Sequence, residues 1–520
     1  MQRINESLYK TRKQDKKMKI NNQICKINLE KRFWKKSNLK NHIEIKNEFS
    51  NISGSDEKLN KSKIKIDTKS ILVETDCVGG VPLFYCKIKN KYFLSDNAMF
   101  LLNKLKSFDL DSQAYDEVYR LKHTLGDKTL HKKIKSIESG TTLQIDEKGL
   151  SKKRNILFKT KSEENFDYEK DFFKILNDVF DETIKTSRGN IVIPLSGGWD
   201  SRLLAVMIKE KSPDKKIITY TYGAQYNSEV KTSEKVAKKL GFEWFFVKYE
   251  PNFIKKIIKS EEFRQAILYN FNLSMTPHMR DHFAIKYLLD NKIIKKEDTV
   301  IPGHSLDFLA GSRIDNLKNK SKRSVIFEFL TFNSIRNPNK FIKKETNTIY
   351  KKIQKNNQDL EMFETIDFLE RQPKFIINSL RVYDFFKLNW KIPFWDVRLV
   401  KFWNRVPNNL RKNQYLYLKF CKQLFSKYNV DFDRGRGVKG NNKIIQFVYN
   451  MLTPNLRKHI SYFLRFKTNF LDLEKKSSFM PLDRKKIFKG TKFENKKTSS
   501  THGIFVDMAL KEIEENHINK

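Results

Sequence analysis

The chain has 520 residues, a length typical of two to four domains. A hydrophobic content of 39% and an aromatic content of 13% exclude intrinsic disorder, and no apolar run approaches the ~20 residues of a membrane-spanning helix. The formal net charge of +42 would suit nucleic-acid binding, but the lysines are spread through every segment, which favours solvated surfaces over a nucleic-acid interface.

The four cysteines, Cys25, Cys77, Cys86 and Cys421, show no CxxC spacing. This pattern argues against a zinc site or a disulfide scaffold and favours a reducing compartment. The first residues also lack the apolar core of a signal peptide. We therefore expect a cytoplasmic protein with no membrane span.

After a polar, basic arm at residues 1–17, short β-like runs separated by turn signals predict a mostly β or α+β domain over residues 18–160. The clearest strands are 71–75, 83–88, 92–95 and 141–145. An amphipathic helix at 167–187 then leads into a second domain, which we expect to span residues 165–430.

In that second domain, strands alternate with helices. Strands are predicted at 191–194, 216–223, 244–249 and 299–303, and a helix at 228–240 with Ser228 as its cap. The alternation is typical of a doubly wound parallel sheet with ligands at the carboxyl ends of its strands. A helical region from about residue 375 and a basic C-terminal extension at 431–520 complete the predicted α/β chain.

The first candidate site is the loop Ser196-Gly-Gly-Trp-Asp-Ser201, between a buried strand and a helix. Such a loop directs backbone N–H groups, two hydroxyls and the positive end of the helix toward one point. Its glycines allow a ligand to approach the backbone closely. The pattern is not a Walker loop, and it predicts a site for phosphate or pyrophosphate.

A second candidate loop, Pro302–Phe308, follows the strand that begins at Thr299. A glycine turn that carries a carboxylate at a strand end can hold Mg²⁺ against phosphate oxygens, because hard cations prefer oxygen ligands. Together with Asp200, Asp307 therefore predicts one half of an ATP·Mg²⁺ site.

The SGGxDS loop resembles the PP-loop of ATP pyrophosphatases, and the chain from about residue 70 to 425 resembles the asparagine synthetase family. Residues 393–400 resemble that family's "PFLDxRLV" helix start, with Asp396 as its cap, and residues 76–85 and 94–97 resemble the hairpin of its glutaminase half. The resemblance implies an N-terminal glutaminase-like (Ntn-type) domain followed by a PP-loop synthetase domain. It also implies ATP and Mg²⁺.

The resemblance further implies roles for individual residues. Nucleotide and pyrophosphate are expected at Leu195, Ser196, Gly197, Gly198, Asp200, Ser201, Arg202, Tyr222, Gly223 and Gly303, and the metal at Asp200 and Asp307. His304, with an ordinary pKa near neutrality, is expected to accept the proton of the amine, although a hydrogen bond to its own turn is an equally good reading. Lys412 or Lys419 is expected to steady the phosphate charge.

Two departures from the family pattern stand out. Glutamine-hydrolysing members use a cysteine directly after the initiator Met, whereas position 2 here is Gln. The three cysteines of the first domain are better explained as small buried hydrophobic residues, so that domain is expected to lack glutaminase chemistry. In the second loop, His304 and Phe308 replace acidic residues of the family, which suggests a substrate other than aspartate or weakened catalysis.

The predicted function is therefore an ATP-dependent ligase that adenylates a carboxylate and forms an amide. Aspartate, a sugar acid or a peptide side chain is compatible as the acid, with ammonia or an amine as its partner. A tRNA-modifying PP-loop enzyme and a non-catalytic nucleotide-binding relative are the alternatives. A metal site at His278 and His282, which are four residues apart, is a much weaker possibility because no third ligand is evident.

Overall fold

The computed structural model describes residues 17–22, 24–30, 33–39, 42–47, 61–154, 167–314, 340–356, 362–432, 484–491, 493–494 and 501–517, with residues 326, 329 and 482 singly. The expected N-terminal arm up to residue 16 and the basic stretch at 434–440 lie outside these residues. None of the described helices combines the length and the apolar character that crossing a bilayer requires.

The N-terminal region consists of two sheets. Its strands are β1 (Lys17–Asn21), β2 (Cys25–Glu30), β3 (Trp34–Asn38), β4 (Ile43–Asn47), β5 (Lys63–Ile66), β6 (Ser70–Glu74), β7 (Leu83–Ile88), β8 (Lys91–Ser95), β9 (Lys135–Ile137), β10 (Thr141–Asp146) and β11 (Gly149–Arg154). The strand orders are β1-β2-β8-β7-β9 and β11-β10-β6-β5-β4-β3. Inward-facing side chains from both sheets share one hydrophobic core, which makes the region a sandwich.

Two helices, α1 (Ala98–Leu105) and α2 (Ser112–Leu121), follow the strand pair β7–β8. Asn97 and Asp111 cap them by accepting backbone N–H groups of the first turn. Their buried faces belong to the large core that continues into the second domain. The predicted α+β character of the first domain is confirmed.

The second domain is built on a parallel sheet of β12 (Ile191–Pro194), β13 (Ile217–Gly223), β14 (Glu243–Lys248), β15 (Thr299–Val300) and β16 (Asn389–Trp390). The order is β14-β13-β12-β15-β16, and every neighbouring pair is parallel. The strand order reverses between β12 and β15, which is where doubly wound sheets bind ligands. The predicted doubly wound sheet is confirmed.

The helices of this region are α3 (Tyr168–Lys185), α4 (Trp199–Lys211), α5 (Ser228–Leu240), α6 (Pro251–Ile258), α7 (Glu261–Phe271), α8 (Arg280–Asp290) and α9 (Leu306–Leu309). The predicted cap of α5 is wrong by one residue: Asn227, not Ser228, accepts the N–H of Val230. Asp396 caps its helix as predicted, by accepting the N–H of Arg398.

The remaining helices are α10 (Lys340–Asn356), α11 (Met362–Ile366), a π-helix (Asp367–Ile377), α12 (Arg381–Phe385), α13 (Val397–Arg405), α14 (Asn408–Arg411), α15 (Tyr415–Ser426), α16 (Arg484–Phe488) and α17 (Thr501–His517). The π-helix contains Pro373 and lies between the sandwich and the parallel sheet. Helix α17 packs against α7, with the rings of Phe505 and Phe263 6.3 Å apart. This part of the predicted extension therefore belongs to the main core.

Candidate active site at the carboxyl edge of the parallel sheet

The two loops singled out in the sequence lie side by side, because they follow the adjacent parallel strands β12 and β15. A Cβ atom on Gly303 would lie 2.7 Å from both the backbone N and the Cα of Ser201. No other residue type fits this contact, since real Cβ atoms essentially never approach so closely. Gly303 thus brings the second loop directly onto the start of α4.

The first loop is folded around the Ser201 hydroxyl. Ser201 Oγ lies 2.9 Å from Ser196 Oγ and accepts the N–H of Ser196 at 3.2 Å. Ser196 Oγ in turn accepts the N–H of Gly198 at 3.1 Å. These bonds hold two hydroxyls and the N-terminus of α4 together, which is the arrangement suited to a phosphate group.

The second loop joins the first through the acidic residues. The N–H of Asp307 donates to Asp200 Oδ2 at 3.1 Å, while the Asp307 carboxylate makes no side-chain hydrogen bond to the described residues. Ser305, just before α9, has a φ of +78°, a strained value for a non-glycine residue. Such strain is often found where a fold holds a functional loop in one shape.

His304 lies half-buried in the same loop. Burial lowers its pKa to about 4, against a smaller opposite effect of the Asp307 charge. The imidazole is therefore neutral at physiological pH, and its role as a proton acceptor stays a prediction. Its Nδ1 has no hydrogen-bond partner among the described residues, so the hydrogen bond within the turn is made by the backbone N–H, which donates to Pro302.

Two site residues were missed in the sequence. The Tyr417 hydroxyl donates to Asp200 Oδ1, and Gln414 Nε2 donates to the carbonyl oxygen of Asp307 at 3.3 Å. Asn413 and Gln414 both have positive φ values, +54° and +58°, and this strained turn brings α15 to the loops. In the sequence, Gln414 and Tyr417 were indicated only by their position between the candidate lysines Lys412 and Lys419.

The three sequence-predicted cations lie in different surroundings. Arg202 is fully buried and donates to the carbonyl oxygens of Val430 and Phe432. It also donates to Gly197 O of the first loop at 3.3 Å, so its role toward the phosphates stays a prediction. Lys419 pairs with Glu169 at 3.0 Å on the surface. Lys412 is exposed beside the turn that contacts Asp307, so it stays a candidate.

The nucleotide side of the predicted site is formed by β12 and β13. Leu195 N–H donates to Tyr220 O at 2.8 Å, and Thr221 Oγ1 donates to Leu195 O at 2.7 Å, which fixes the entry to the first loop. The Tyr222 ring stacks on Tyr249 with 5.2 Å between centroids. The assignment of Tyr222 and Gly223 to adenine stays a prediction.

The carboxylates fit a magnesium ion that is shared with phosphate oxygens. Among the described residues, no group of three or more His, Cys, Asp or Glu side chains comes together, so a resident ion would need oxygens from a nucleotide and water. Mg²⁺ is commonly held in this way by one or two carboxylates. Asp200 and Asp307 supply that number, and they lie in adjacent loops joined by the hydrogen bond from the Asp307 N–H to Asp200.

The weaker metal hypothesis is not supported where the structure describes it. His278 precedes α8, whereas His282 lies inside the helix, packed among Phe263, Phe385 and Phe386. Burial lowers the pKa of His282 to about 3, and the described residues supply no third ligand.

In the sandwich, the Asp76 carboxylate binds backbone groups of the protein itself, and the thiols of Cys25 and Cys86 are buried. Asp76 accepts the N–H groups of Val78 and Gly80, at 3.1 and 2.8 Å. Burial raises the pKa of the Cys25 and Cys86 thiols to about 12, so neither forms a thiolate at neutral pH.

Comparison with known proteins matches two regions of the chain to known families. Residues 65–156 match the family model of a glutamine amidotransferase domain, and residues 176–304 match that of asparagine synthase. Asparagine synthetase [glutamine-hydrolyzing] 1 of Bacillus subtilis (strain 168) is 25% identical over 247 residues, which cover 45% of this chain and 36% of that protein. The chain thus spans about a third of the length of this relative.

Among solved structures, the NH3-dependent NAD synthetase of Campylobacter jejuni is 16% identical, with a TM-score of 0.23, and covers 40% of this chain and 96% of its own. A U34-tRNA thiolase of Methanococcus maripaludis is 15% identical, with a TM-score of 0.22, and covers 42% of this chain and 87% of its own. Because both TM-scores are low, the fold is assigned from the strand order of the sheets and from the two matched regions, and not from these structures.

Proposed function

We propose that this chain is an ATP-dependent ligase, because one region matches asparagine synthase and another matches a glutamine amidotransferase domain. In the proposed reaction, a carboxylate oxygen attacks the α-phosphorus of ATP and pyrophosphate leaves. An amine or ammonia then displaces AMP from the acyl adenylate, which forms an amide. Adenylation is needed because the oxide of a free carboxylate is too poor a leaving group.

One observation carries the proposal: the two strand-end loops form one continuous surface. The Gly303 contact with Ser201 and the hydrogen bond from Asp307 to Asp200 put hydroxyls, a helix N-terminus and two carboxylates within a single region. Positioning and charge neutralisation are the main needs of phosphoryl-type chemistry. This arrangement suits a triphosphate better than it suits any uncharged ligand.

The residues of this surface would then divide the work. Ser196, Gly198 and Ser201 would bind the departing pyrophosphate, and Asp200 and Asp307 would hold Mg²⁺, which neutralises phosphate charge. His304 is neutral, and its Nδ1 has no partner in the described part of the chain, so it would accept the proton that the attacking amine loses. Lys412 is the remaining candidate for a cation that approaches from the α15 side.

We further propose that the first domain does not hydrolyse glutamine. The support is chemical: the thiols of Cys25 and Cys86 are buried, and burial raises the pKa of both to about 12. Ammonia or another amine would then be supplied from solution. Four cysteines without a disulfide among them suit the reducing cytoplasm.

The proposal is tested by exchange of labelled pyrophosphate into ATP across a panel of carboxylic acids. We expect exchange with a subset of the acids, dependent on Mg²⁺. Asp200→Ala should reduce it at least ~100-fold, because the variant removes a charge next to the phosphates. Tyr417→Phe removes only one hydrogen bond to Asp200 and should cost about tenfold. Asp181→Ala, which removes an exposed carboxylate of α3, is the matched control.

Two results would contradict the proposal. Unchanged exchange in Asp200→Ala would remove the assigned role of the loop. No exchange with any acid, despite ATP binding, would instead indicate a non-catalytic nucleotide-binding relative. Retention of tRNA at physiological salt would favour the tRNA-modifying alternative, although the amidotransferase match at residues 65–156 argues for a ligase.

A further inference from the structure

The π-helix (Asp367–Ile377) is bound to the first domain by a buried polar network. Lys374 Nζ donates to the carbonyl oxygens of Thr124 and Gly126, at 3.2 and 2.6 Å. Glu370 Oε2 accepts from Lys374 Nζ at 2.5 Å and from the N–H of Gly126 at 2.9 Å. These groups form what we call the polar clamp: Thr124, Gly126, Glu370 and Lys374.

The polar clamp holds the π-helix in one position because its charges are buried. The side chain of Glu370 is fully buried, and that of Lys374 is 10% exposed. Arg154 of β11 adds a further contact, since its Nη2 donates to the carbonyl oxygen of Leu369 at 3.1 Å. A buried charge that loses its partner is strongly destabilising. Displacement of the π-helix along the first domain would therefore be costly.

The same π-helix contacts the second loop through Gln372. Ser305 Oγ donates to Gln372 Oε1 at 3.3 Å, and Gln372 Nε2 donates to Asp367 Oδ2 at 3.0 Å. All three side chains are buried. Gln372 is thus fixed by a residue of its own helix and is bonded to the loop at the same time.

Ser305 is the point at which the second loop needs such support. Its φ of +78° lies in the left-handed region, which costs free energy for a residue with a Cβ and persists only where the surrounding structure enforces it. Ser305 separates His304 from α9, which carries Asp307 in its first turn. The backbone conformation of Ser305 therefore determines where His304 and Asp307 lie.

An aromatic contact joins the second loop to the first domain independently of Gln372. The ring of Phe308 lies 6.2 Å from that of Trp395, and Trp395 Nε1 donates to the carbonyl oxygen of Val78 at 2.9 Å. The Trp395 ring also lies 5.3 Å from that of Phe368 in the π-helix. The second loop is therefore connected to the first domain by a polar and by an aromatic route.

We propose that Gln372 is a positioning residue of the ligase, and that the first domain serves the reaction by fixing the π-helix that carries Gln372. Gln372 acts through Ser305, whose backbone leads into α9 and Asp307. The first domain, for which we propose no glutaminase chemistry, thus supports the loop that would hold Mg²⁺. The inference rests on the proposed adenylation, but its first test does not depend on activity.

The first test measures amide hydrogen exchange in the second loop of the full chain, without nucleotide or metal. Gln372→Met keeps most of the side-chain volume but removes both hydrogen bonds, so amide protons of residues 305–310 should exchange at least ~10-fold faster than in the unmodified chain. Ser305→Ala should give a similar increase, and it keeps the test available if Gln372→Met folds poorly. The double variant should exchange no faster than the faster single variant, because both changes remove the same interaction.

Gln144→Met is the matched control, since the exposed Gln144 donates to Asp146 Oδ2 at the same distance of 3.0 Å. Amide hydrogen exchange of residues 305–310 should be unchanged in this variant. Equal amide hydrogen exchange in the unmodified chain, Gln372→Met and Ser305→Ala would overturn the proposal. Additive effects of the two substitutions would overturn the action through Ser305.

The second test measures the Mg²⁺ concentration that gives half-maximal pyrophosphate exchange. Gln372→Met should need at least ~10-fold more Mg²⁺, because Asp307 is no longer held in place. A loss of stability alone would not change the Mg²⁺ requirement of the folded molecules. A faster amide hydrogen exchange in the loop with an unchanged Mg²⁺ requirement would overturn the positioning role and leave the proposed function standing. Absence of pyrophosphate exchange with every acid in the unmodified chain would overturn the proposed function, but not the support of the loop measured in the first test.

The contribution of the first domain is tested by the double variant Glu370→Gln/Lys374→Met. Removal of both charges is tolerated better than removal of one, so this variant should fold. We expect its Mg²⁺ requirement to rise about threefold, less than in Gln372→Met, because the contact through Trp395 remains. Trp395→Phe, which removes the hydrogen bond to Val78, is the second variant. A Mg²⁺ requirement equal to that of the unmodified chain in both variants would overturn the role of the first domain.

Discussion

In the N-terminal sandwich, carboxylates near strand ends bind groups of the protein itself, whereas at the edge of the parallel sheet Asp200 and Asp307 lie in two adjacent loops joined by one hydrogen bond. Asp96 accepts the N–H of Glu30 at 2.9 Å and Trp34 Nε1 at 3.1 Å, so it fixes the local structure. Among the described residues, Asp307 makes hydrogen bonds through its backbone groups only. The difference indicates which sheet edge is arranged for a ligand, although the sequence matches cover both regions.

The same contrast appears in the glycines. Gly79 of the sandwich has a φ of +72° and would place a Cβ 2.2 Å from Pro373 Cβ, a contact between the sandwich and the π-helix. Gly303 instead contacts the backbone of Ser201, within the candidate site. The close contact of Gly79 thus packs the sandwich against the π-helix, whereas the close contact of Gly303 joins the two candidate loops.

The largest expected effect is that of Gly303→Ala. The added methyl group would force the two loops apart, so we expect at least ~100-fold loss of pyrophosphate exchange and a loss of about 1–3 kcal/mol in the free energy of unfolding. Gly79→Ala should cost a similar free energy, because it also overpacks, but should keep exchange within a few-fold. Urea unfolding and exchange assays measure the two quantities. Equal loss of exchange in both variants would show that the regions do not differ in this way.

The next largest effect is expected for Arg411, which contacts α9, the helix at the end of the second loop. Arg411 lies buried, 2.7 Å from Glu364 Oε1, and donates to Leu309 O, also at 2.7 Å. Arg411→Met should lower the free energy of unfolding by about 3–5 kcal/mol, because it leaves Glu364 buried without its partner. The exposed pair of Lys419 with Glu169 gives the matched control: Lys419→Met should cost less than about 1 kcal/mol.

Lys419→Met also examines the structural placement of this lysine. Since Lys419 pairs on the surface with Glu169, pyrophosphate exchange should be unchanged in the variant. A large loss of exchange would mean that Lys419 reaches the phosphates when substrates bind. Denaturation curves of Arg411→Met and Lys419→Met measure the two losses in the free energy of unfolding. Exchange rates of the same variants show whether Lys419 contributes to the reaction.

Much of the parallel-sheet domain could be predicted because its signals are local. A buried strand followed by Ser196-Gly-Gly specifies strand, loop and helix within about a dozen residues, and alternation with helices specifies a parallel sheet. Likewise, Asp396 was recognisable as a cap, since capping depends on the next few residues only.

What could not be predicted depends on distant contacts. Arg202 follows Asp200 and Ser201 directly in the sequence, yet its guanidinium binds carbonyl oxygens of Val430 and Phe432. Tyr417 reaches Asp200 from more than 200 residues away. The low pKa of His304 has the same origin, because burial is a property of the assembled fold.

A smaller effect is expected for buried histidines at acid pH. Burial lowers the pKa of His282 to about 3, below the ordinary value of 6.5, so the folded state binds fewer protons than the unfolded state between these values. His282 therefore adds no pH dependence to the free energy of unfolding above pH 6.5, and its protonation favours unfolding as the pH falls. His282→Phe should flatten this acid branch by at most about 1.4 kcal/mol per pH unit. Melting temperatures between pH 7 and pH 4 measure the slope.

His123 of the sandwich is the matched comparison for His282. Its pKa is also lowered to about 3 by burial, but its Nδ1 lies 3.0 Å from the carbonyl oxygen of Thr124. Both ring nitrogens of His282 lack hydrogen-bond partners among the described residues. His123→Phe should therefore lose about 1 kcal/mol at pH 7, whereas His282→Phe should lose nothing. A larger loss in His282→Phe would indicate a polar partner for that ring.

The smallest effect is expected for Cys25→Ala, which should leave the catalytic activity unchanged. The thiols of Cys25 and Cys86 are buried, with pKa values raised to about 12, so neither supplies a nucleophile. Amide formation with ammonia should be unchanged in the variant, and glutamine should not replace ammonia in either protein. In the native protein, iodoacetamide should modify the half-buried Cys77 before these two thiols. Loss of a glutamine-dependent activity in Cys25→Ala would instead mean that the sandwich also performs chemistry, and the contrast between the two regions would fail.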